Sequence, residues 1–570
     1  MAKRKIVNQH GEVTDAELHK DIDAYHQAGG NRSEAGRLRK LKRTTYNDRL
    51  VMACKRFGIT LGKVVDGQID YVKAAQKKLP PKGGVKRYIL TSAQNNTHPH
   101  EEGLRNILAY TAWLDCFAKS SCEFMVGTFS YQIDAYGAKA VKRGAYDPKR
   151  SRENLWYSPE LMPYICDDSV QLAPGLVWCG EMNILPTAVN PLLRLDDYNG
   201  RNSNVVPHAK FAMDSIASLP DEATKFNYTT GVITLRNYIK KRAGIIAERA
   251  HCYGAILVEV DDAGNWFVRQ LQVGDKGEVY DIGPAGYRGV KIAGGQVEAI
   301  PVTVKNGSVL EAIVWGDIHT AEMELWVREL GWGDGGMVDQ LQPRKQFLHD
   351  IFSMRARGHH EIKNFHKTYQ KMVDGEGLVQ DEIQITADFL REVDRPWMES
   401  VVVRSNHDRH LDRWLNEANP NLDPPNARYF MELQGALLKS MDEGNRDFSV
   451  LEYALRQAEG GIPADILFLA EDQSYVICKS ASGGIECGLH GDLGPNGAKG
   501  TTRSFRKLGR PANKAHDHTA AINWPVFSGG ACSLDFPYMK GPNAHSVSHI
   551  ANFVNGARQI LTFWNGKFRA

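Results

Sequence analysis

The chain has 570 residues, of which 42% are hydrophobic and 24% are charged, and its formal net charge at pH 7 is +3. This length and composition predict a globular chain of about three or four domains, and its short apolar runs argue against a transmembrane span or a secretory signal. Nine cysteines without a C-x-x-C pair argue against a zinc knuckle or a disulfide framework and suit a reducing cytosol.

Charge is distributed unevenly along the chain. Residues 1–87 contain 20 Lys and Arg but only 9 Asp and Glu, whereas the rest of the chain has 50 basic and 58 acidic residues. A basic segment attached to a mildly acidic body indicates a polyanionic partner for that segment. A solvated basic face without a partner is the alternative.

Three short helices are predicted within this basic segment. Apolar residues have helical spacing from Val13 to Ala28. A second helix is predicted over about Glu34 to Arg39, and a third from Arg43 to about Arg56. The Pro, Gly and Lys content of residues 77–84 predicts an exposed linker. Residues 1–80 are therefore predicted to form a small all-α head.

The string from Gly30 to Tyr46 resembles the helix-turn-helix of small bacterial and phage DNA-binding domains. In that pattern the third helix enters the major groove, so the resemblance implies a DNA-binding head; a packing or oligomerisation module is the alternative. Lys40 stands where the turn usually has glycine, and it must adopt a less favourable backbone conformation or a different turn. The nucleic-acid contacts that the resemblance implies come from Arg43, Thr44, Thr45, Asn47 and Arg49.

An α/β pattern follows the head. Arg87 to Thr91 and Glu123 to Phe129 are predicted strands on either side of an amphipathic helix, Glu101 to Lys119, which makes a βαβ unit with parallel strands. Two strands between Gly254 and Gln270 predict a hairpin. No phosphate-binding glycine loop is present. Residues 86–300 are therefore predicted to form an α/β accessory domain, to which the sequence assigns no role.

Five short motifs beyond residue 300 carry Asp, Asn or His beside runs that look like buried strands. Such side chains at strand ends are the ligands from which proteins build sites for divalent metals. The order and widening spacing of the motifs resemble those of the calcineurin-like metallophosphoesterases over about residues 310–570. The motifs are Gly316-Asp317-Ile318-His319, Leu348-His349-Asp350, Ser405-Asn406-His407-Asp408, Gly488-Leu489-His490 and Ala515-His516-Asp517-His518.

The resemblance implies a fold and a dinuclear metal site. For residues 308–570 it implies a two-layered β-sandwich flanked by helices. It implies that two divalent cations, Mn²⁺ first and Fe or Zn as alternatives, share a hydroxide that attacks a phosphodiester, with His407 as general acid beside the leaving oxygen. The metal ligands that it implies are Asp317, His319 and His518 for one ion, Asn406, His490 and His516 for the other, and Asp350 bridging both.

Several residues depart from the metallophosphoesterase pattern. Ser405 replaces a glycine in the third motif, and His349 replaces the glycine before the bridging carboxylate. Ser353 stands where the family often has an aspartate that orients the catalytic histidine. The orienting partner of His407 is therefore open. Asp408 is one candidate, although a structural role is favoured for it.

Two histidines near the end of the chain are candidates for the substrate groove. His545 and His549 precede the last predicted strand and are predicted to line that groove. The alternative is a supporting position behind the metal ligands or at the surface.

A two-metal phosphoesterase joined to a basic head predicts a nucleic-acid substrate. The arrangement is similar to the phage metallophosphoesterases of the T5-like pre-early type, which act in DNA transfer and host-DNA degradation. That resemblance implies a Mn²⁺-favouring DNase that acts as a homo-oligomer in the cytoplasm of a bacterial host, with no membrane partner. The alternatives are a phosphatase or small-substrate phosphodiesterase, and a non-catalytic DNA-binding or DNA-transfer protein with a degenerate metal site.

Overall fold

The computed structural model describes residues 13–28, 32–57, 75–131, 156–219, 222–304, 307–358, 364–479, 483–534, 536 and 541–570. These residues form several sheets and helices, which confirms the predicted α/β class. Contacts divide the chain into a smaller unit, Met1–Gln76 with Tyr198–Gly200, and a larger unit, Lys77–Asp197 with Arg201–Ala570. Within the described ranges, every helix is too short or too polar to cross a membrane.

The smaller unit contains three helices, α1 (Asp15–Gln27), α2 (Arg32–Leu38) and α3 (Arg43–Phe57), and a two-residue strand, β1 (Ala75–Gln76). Each helix lies within two residues of its predicted bounds, because helical apolar spacing is a strong local signal. The apolar side chains buried between the helices are Leu18, Ile22, Ala24, Ala35, Tyr46, Leu50 and Ala53.

Ion pairs join α1 to α2 and α3. The two carboxylate oxygens of the fully buried Asp21 each accept a hydrogen bond of 2.7 Å, one from Nε of Arg39 and one from Nε of Arg49. Glu17, one turn earlier, accepts from both guanidinium groups as well. Lys40, between α2 and α3, has φ of +53°. The lysine therefore adopts the less favourable backbone conformation that its position predicts.

The larger unit contains the other elements. Its strands are β2 (Val85–Gln94), β3 (Ser120–Phe129), β4 (Ser169–Ala173), β5 (Leu176–Cys179), β6 (Ser203–Val206), β7 (Ala212–Ile216), β8 (Lys225–Thr229), β9 (Gly254–Asp261), β10 (Trp266–Gln272), β11 (Val279–Asp281), β12 (Tyr287–Ala293), β13 (Gln296–Pro301), β14 (Leu310–Val314), β15 (Lys345–His349), β16 (Glu399–Val403), β17 (Leu467–Phe468), β18 (Val476–Ile477), β19 (Ile485–Glu486), β20 (Ala512–Lys514), β21 (Ala521–Asn523), β22 (Val526–Ser528), β23 (Ser548–Phe553) and β24 (Arg558–Thr562). Its helices are α4 (Glu101–Asp115), α5 (Arg242–Arg249), α6 (Leu325–Trp332), α7 (Met337–Leu341), α8 (Phe365–Val373), α9 (Val379–Val393), α10 (Asp408–Glu417), α11 (Pro424–Asp442), α12 (Val450–Gln457) and α13 (Thr502–Phe505).

The predicted βαβ unit and the predicted hairpin share one sheet. Its strand order is β10-β9-β2-β3, in which β2 and β3 are parallel and β9 and β10 are antiparallel. Helix α4 connects β2 to β3 and packs its Leu104, Ile107 and Leu114 on this sheet. Both local predictions are confirmed, because each rests on a periodic apolar run bounded by polar or glycine residues.

A six-stranded sheet forms the centre of the C-terminal half. Its order is β17-β16-β15-β14-β23-β24, and the first four strands are parallel. Alternate side chains enter different cores: Ile313 and Val402 pack in the core that contains Ile383 of α9, whereas Val314 and Val401 pack on the opposite face. Strands buried on both faces are continuously apolar, and this explains why β14 and β16 stand out in the sequence.

A longer sheet covers that opposite face. It runs in the order β4-β5-β6-β8-β7-β21-β22-β20-β19-β18, and its Phe527 joins Val314 and Val401 in one core. Strand β7 pairs with β21, where Ile522 lies opposite Met213. The predicted domains 86–300 and 308–570 therefore share a sheet within one compact unit, and the functional division between them stays a prediction.

Candidate metal centre

The first three motifs follow neighbouring strands at their carboxyl ends. Asp317 and His319 follow β14, Asp350 follows β15, and Asn406 and His407 follow β16. Because these strands are parallel neighbours, their carboxyl ends meet at one edge of the sheet. Open α/β sheets place their ligand sites at this edge.

Three more histidines reach the same edge from the longer sheet. His490 follows β19, whereas His516 and His518 follow β20. The N–H of His516 donates to Oδ1 of Asp317 at 2.9 Å, and the N–H of Asp317 donates to the Gly530 carbonyl at 3.0 Å. These bonds hold the turns of the two sheets together.

Four of these residues have left-handed backbones. The angle φ is +47° at His319, +46° at Asp350, +76° at His516 and +55° at His518. This region costs a residue other than glycine about 1 to 2 kcal/mol, because its Cβ crowds the following carbonyl oxygen. The N–H of His319 donates to the Asp350 carbonyl at 2.7 Å, which helps to hold this turn. Backbone strain of this kind concentrates at functional sites.

Asp317, His319, Asp350 and His518 form a compact buried cluster in which one potential ligand atom of each lies within 4.8 Å of the others. His518 Nε2 lies 3.1 Å from Asp317 Oδ2 and 3.2 Å from His319 Nε2. His319 Nε2 lies 3.6 Å from Asp350 Oδ2. Two imidazoles and two carboxylates that converge in this way can hold a divalent metal ion.

Asn406, His490 and His516 form a second cluster beside the first. Asn406 Oδ1 lies 2.9 Å from His490 Nε2 and 3.1 Å from His516 Nδ1. His490 Nε2 is also 3.4 Å from Asp350 Oδ2, the same oxygen that faces His319. The Asp350 carboxylate therefore lies between the two clusters.

Burial favours the neutral form of His319 and of His490 by lowering the pKa of each well below the usual value. Burial alone would raise the pKa of Asp317, but the His518 contact and the neighbouring histidines hold it well below its usual range. Burial and the charge of Asp317 raise the pKa of Asp350 well above its usual range. A neutral imidazole presents a lone pair, which is the form that binds metals.

The donor atoms fit a divalent cation. Within the described part of the chain, Oδ2 of Asp317 and Oδ1 of Asp350 are buried without a hydrogen-bond partner. A buried carboxyl oxygen without a hydrogen-bond partner is costly unless it faces a cation. The donors are imidazole nitrogens and hard oxygens without a thiolate, a combination that suits Mn²⁺, Fe or Zn. The cluster is therefore compatible with a metal-dependent enzyme.

His407 lies beside the first cluster. Its ring centre is 4.6 Å from that of His319, and its Nδ1 lies 3.1 Å from the carbonyl oxygen of Ser353. Burial lowers the pKa of His407 to about 4. The partner that orients this imidazole is thus a backbone carbonyl, which any residue type supplies and no sequence motif reveals.

Asp408 forms its hydrogen bonds within its own turn. Its Oδ2 accepts from the Ser405 N–H at 2.9 Å, and its own N–H donates to Ser405 Oγ at 3.2 Å. This reciprocal pair closes the loop between β16 and α10. The favoured structural role therefore matches the geometry, and Asp408 does not orient His407.

Sequence reasoning noted Ser353 as a departure from the family pattern but missed its partner Glu322, which lies behind His319. Ser353 Oγ lies 3.1 Å from His319 Nδ1 and donates to Glu322 Oε2 at 2.5 Å. Burial raises the pKa of Glu322 to about 7. The only sequence feature that pointed to Glu322 was its position three residues after His319. In the structure, the N–H of Glu322 donates to the His319 carbonyl at 2.8 Å.

Lys514 is a second missed residue. Its buried ammonium group donates to the Ala515 carbonyl at 2.6 Å and to Asp517 at 2.7 Å. These bonds close the turn in which His516 and His518 have left-handed backbones. A buried lysine is rare unless it is paired, so this one stabilises the fifth motif.

The two histidines predicted for the substrate groove lie in different surroundings. His545 is 2% exposed, and its ring centre lies 5.4 Å from that of His518. His549 is fully buried: its Nδ1 accepts from the Gly316 N–H at 3.2 Å, and its ring packs on Trp315. His549 supports the first motif from inside the protein, which is the supporting position that the sequence offered as the alternative to the substrate groove.

The predicted DNA-contact residues lie on α3. The side chains of Arg43 and Thr44 lie outside the described part of the structure, whereas Thr45 and Asn47 are half-buried. Arg49 is 13% exposed at its side chain and pairs with carboxylates inside the head. Arg49 is therefore not carried into a proposed DNA contact.

Comparison of the chain with known proteins identifies one protein family to which it is similar. No protein-family model and no solved structure matches the chain. The chain is 33% identical over 500 residues to Protein A1 of Escherichia phage T5, and the alignment covers 85% of this chain and 83% of that protein. The chain therefore belongs to the family of the phage T5 protein A1.

Proposed function

We propose that this protein is a metal-dependent phosphodiesterase of the calcineurin-like metallophosphoesterase type and that it hydrolyses DNA. One observation carries the proposal: seven Asp, Asn and His side chains from five separate motifs converge at one sheet edge, with the Asp350 carboxylate between two clusters. Random placement would not bring metal-binding side chains from motifs far apart in the sequence to the same edge of the sheet. The seven are Asp317, His319, Asp350, Asn406, His490, His516 and His518.

The two clusters are proposed to hold two ions. Asp317, His319 and His518 would hold one ion, and Asn406, His490 and His516 would hold the other. Asp350 would bridge them, since its Oδ2 lies within 3.6 Å of a nitrogen from each cluster. Divalent cations in such a site, with Mn²⁺ preferred, supply Lewis acidity at the phosphate and lower the pKa of bound water.

The residues of the chain orient the reaction. His407 is the proposed general acid: the Ser353 carbonyl accepts from Nδ1, so this nitrogen keeps its proton, and Nε2 would take up a proton from water and deliver it to the leaving oxygen. His319, His490 and His518 are buried, and this burial strengthens the charge interactions around them. Asn406, next in the chain to His407, ties this general acid to the second cluster.

DNA is the proposed substrate. The excess of basic residues in 1–87, the three-helix head and the kinship with a phage protein support this choice. Thr45 and Asn47 on α3 remain the proposed contacts with bases or phosphates, together with Arg43 and Thr44. The protein is proposed to act in the cytoplasm of a bacterial host as a homo-oligomer, with residues 86–300 as an accessory region to the metal domain at 308–570.

A cleavage assay tests the proposal. Linear and circular duplex DNA is incubated with purified full-length protein and Mn²⁺, beside Asp317→Ala and His407→Ala. We expect cleavage by the wild type and its loss in both variants. His366→Ala, on the exposed face of α8, is the matched control and should cut at the wild-type rate.

Other outcomes separate the alternatives. Cutting of the circle shows endonuclease action. If DNA stays intact while a generic aryl phosphodiester is hydrolysed, the DNase proposal is contradicted and a small-substrate phosphodiesterase is favoured. Metal binding without turnover of any phosphodiester favours a non-catalytic DNA-transfer protein.

A further inference from the structure

Ser353 contacts two histidines of the centre through two different groups. Its carbonyl oxygen faces His407, and its hydroxyl faces His319. We propose that Ser353 is the positioning residue that fixes the ring orientation and the tautomer of both histidines, and that Glu322 sets the direction of the Ser353 hydroxyl. The roles of the two histidines rest on the proposed function, whereas the positioning is tested separately below.

The carbonyl oxygen of Ser353 determines which nitrogen of His407 carries the proton. A carbonyl oxygen only accepts hydrogen bonds, so the 3.1 Å contact requires the proton on Nδ1 of His407. The second nitrogen, Nε2, is then the one that can exchange a proton within the site. Because this contact uses the backbone, it survives any substitution of the Ser353 side chain that leaves the loop in place.

The hydroxyl group of Ser353 determines which nitrogen of His319 carries the proton. The Ser353 hydroxyl donates to Glu322 Oε2, 2.5 Å away, and this bond uses its only proton. The Ser353 oxygen then accepts from Nδ1–H of His319, 3.1 Å away. This order leaves the lone pair on Nε2 of His319, the atom that faces His518 and Asp350. Metal-binding histidines commonly have their second nitrogen fixed in this way.

The loop around Ser353 is held rigidly, as a positioning role requires. The N–H groups of Arg355 and Ala356 donate to the two carboxylate oxygens of Glu382, at 2.8 and 2.9 Å. On the other side, Thr320 Oγ1 donates to the Ile351 carbonyl at 2.7 Å. The serine is thus anchored from both flanks, and the residue as a whole is 8% exposed.

The test separates the two contacts of Ser353. Ser353→Ala removes the hydroxyl and keeps the carbonyl. At pH 8, we expect the Mn²⁺ dissociation constant by titration calorimetry to rise by about 10- to 100-fold. The cleavage rate at saturating Mn²⁺ should stay within about threefold of the wild type, because the His407 contact remains. Ser353→Thr, which restores a hydroxyl, should recover the affinity.

A second readout follows the proton on His319. In ¹⁵N-histidine-labelled, metal-free protein, the nitrogen shifts distinguish the two neutral tautomers. The wild type should show His319 with its proton on Nδ1, and Ser353→Ala should show a mixture. The matched control is Ser169→Ala, because Ser169 is a buried serine whose hydroxyl has no hydrogen-bond partner in the described residues. This control should change neither readout.

A failure of the positioning role of Ser353 can be distinguished from a failure of the proposed function. If the wild type binds Mn²⁺ and cuts DNA while Ser353→Ala retains wild-type affinity and tautomer, the positioning role is wrong and the proposed function stands. A loss in the saturated cleavage rate at unchanged affinity also overturns the positioning role. If the wild type binds no metal, the proposed function itself fails.

Discussion

Gln346 is expected to stabilise the sheet beneath the metal centre. It lies on β15, three residues before His349, and it is fully buried. Its Oε1 accepts from the indole N–H groups of both Trp315 and Trp332, each at 3.0 Å. Its amide group donates to the Val393 carbonyl at 3.2 Å and to Ser400 Oγ at 3.0 Å. One side chain therefore has four buried polar partners.

Substitution Gln346→Leu keeps the approximate volume and removes the hydrogen bonds to all four partners. A buried donor or acceptor without a partner costs about 1 to 3 kcal/mol. At the lower figure of about 1 kcal/mol each, the four partners together give a loss of about 4 kcal/mol, and the apolar replacement recovers about 1 kcal/mol by hydrophobic burial. We therefore expect the free energy of unfolding to fall by at least about 3 kcal/mol.

Urea unfolding of the full-length protein, followed by tryptophan fluorescence and circular dichroism, measures this change. Gln380→Leu, on the exposed side of α9, is the matched control and should change stability by less than about 0.5 kcal/mol. A loss below about 1 kcal/mol in Gln346→Leu would refute the reasoning, since it would mean that neither indole depends on this acceptor.

Three further predictions concern regions away from the centre. Asp21→Ala leaves Arg39 and Arg49 without their buried carboxylate, so hydrogen exchange in the head of the full chain should indicate a loss of about 2 to 3 kcal/mol; unchanged exchange contradicts this. Lys40→Gly relieves the left-handed turn and should slow exchange in α2 and α3, with a gain of up to about 1 kcal/mol. Burial raises the pKa of Asp214 from 3.8 to about 6, so its carboxylate lowers stability as pH rises through that window. Asp214→Asn should therefore be more stable than the wild type at pH 7.5 but not at pH 3.5, which urea midpoints will show.

Much of the local structure is predictable from the sequence. The helices of the head, the βαβ unit and the strands β14 and β16 each have a periodic or continuous apolar run, and this signal is local. The motifs around Asp317, Asp350 and Asn406 follow such runs, so their convergence at one sheet edge is expected once the strands are parallel. The order of the motifs, rather than any single one, carries the site prediction.

Long-range geometry accounts for what the sequence did not reveal. The pairing of β7 with β21 joins segments about three hundred residues apart, and no local pattern encodes it. The Ser353 carbonyl has no residue-specific signal, since every residue has one. The burial of His549 and the pairing of Arg49 with Asp21 depend on which surfaces meet, whereas composition indicates only that these side chains are polar.

The most direct test of the central claim, that the buried cluster is a metal centre for phosphodiester hydrolysis, is the cleavage of duplex DNA by metal-stripped protein before and after the addition of Mn²⁺. Mn²⁺ binding is measured on the same sample, and Asp350→Ala is run beside the wild type. We expect no cleavage without metal, cleavage after Mn²⁺ is restored, and a loss of at least about 100-fold in the variant, because Asp350 lies between both clusters. Cleavage that survives metal removal or the Asp350→Ala substitution, or Mn²⁺ binding by the wild type without any cleavage, would contradict the account.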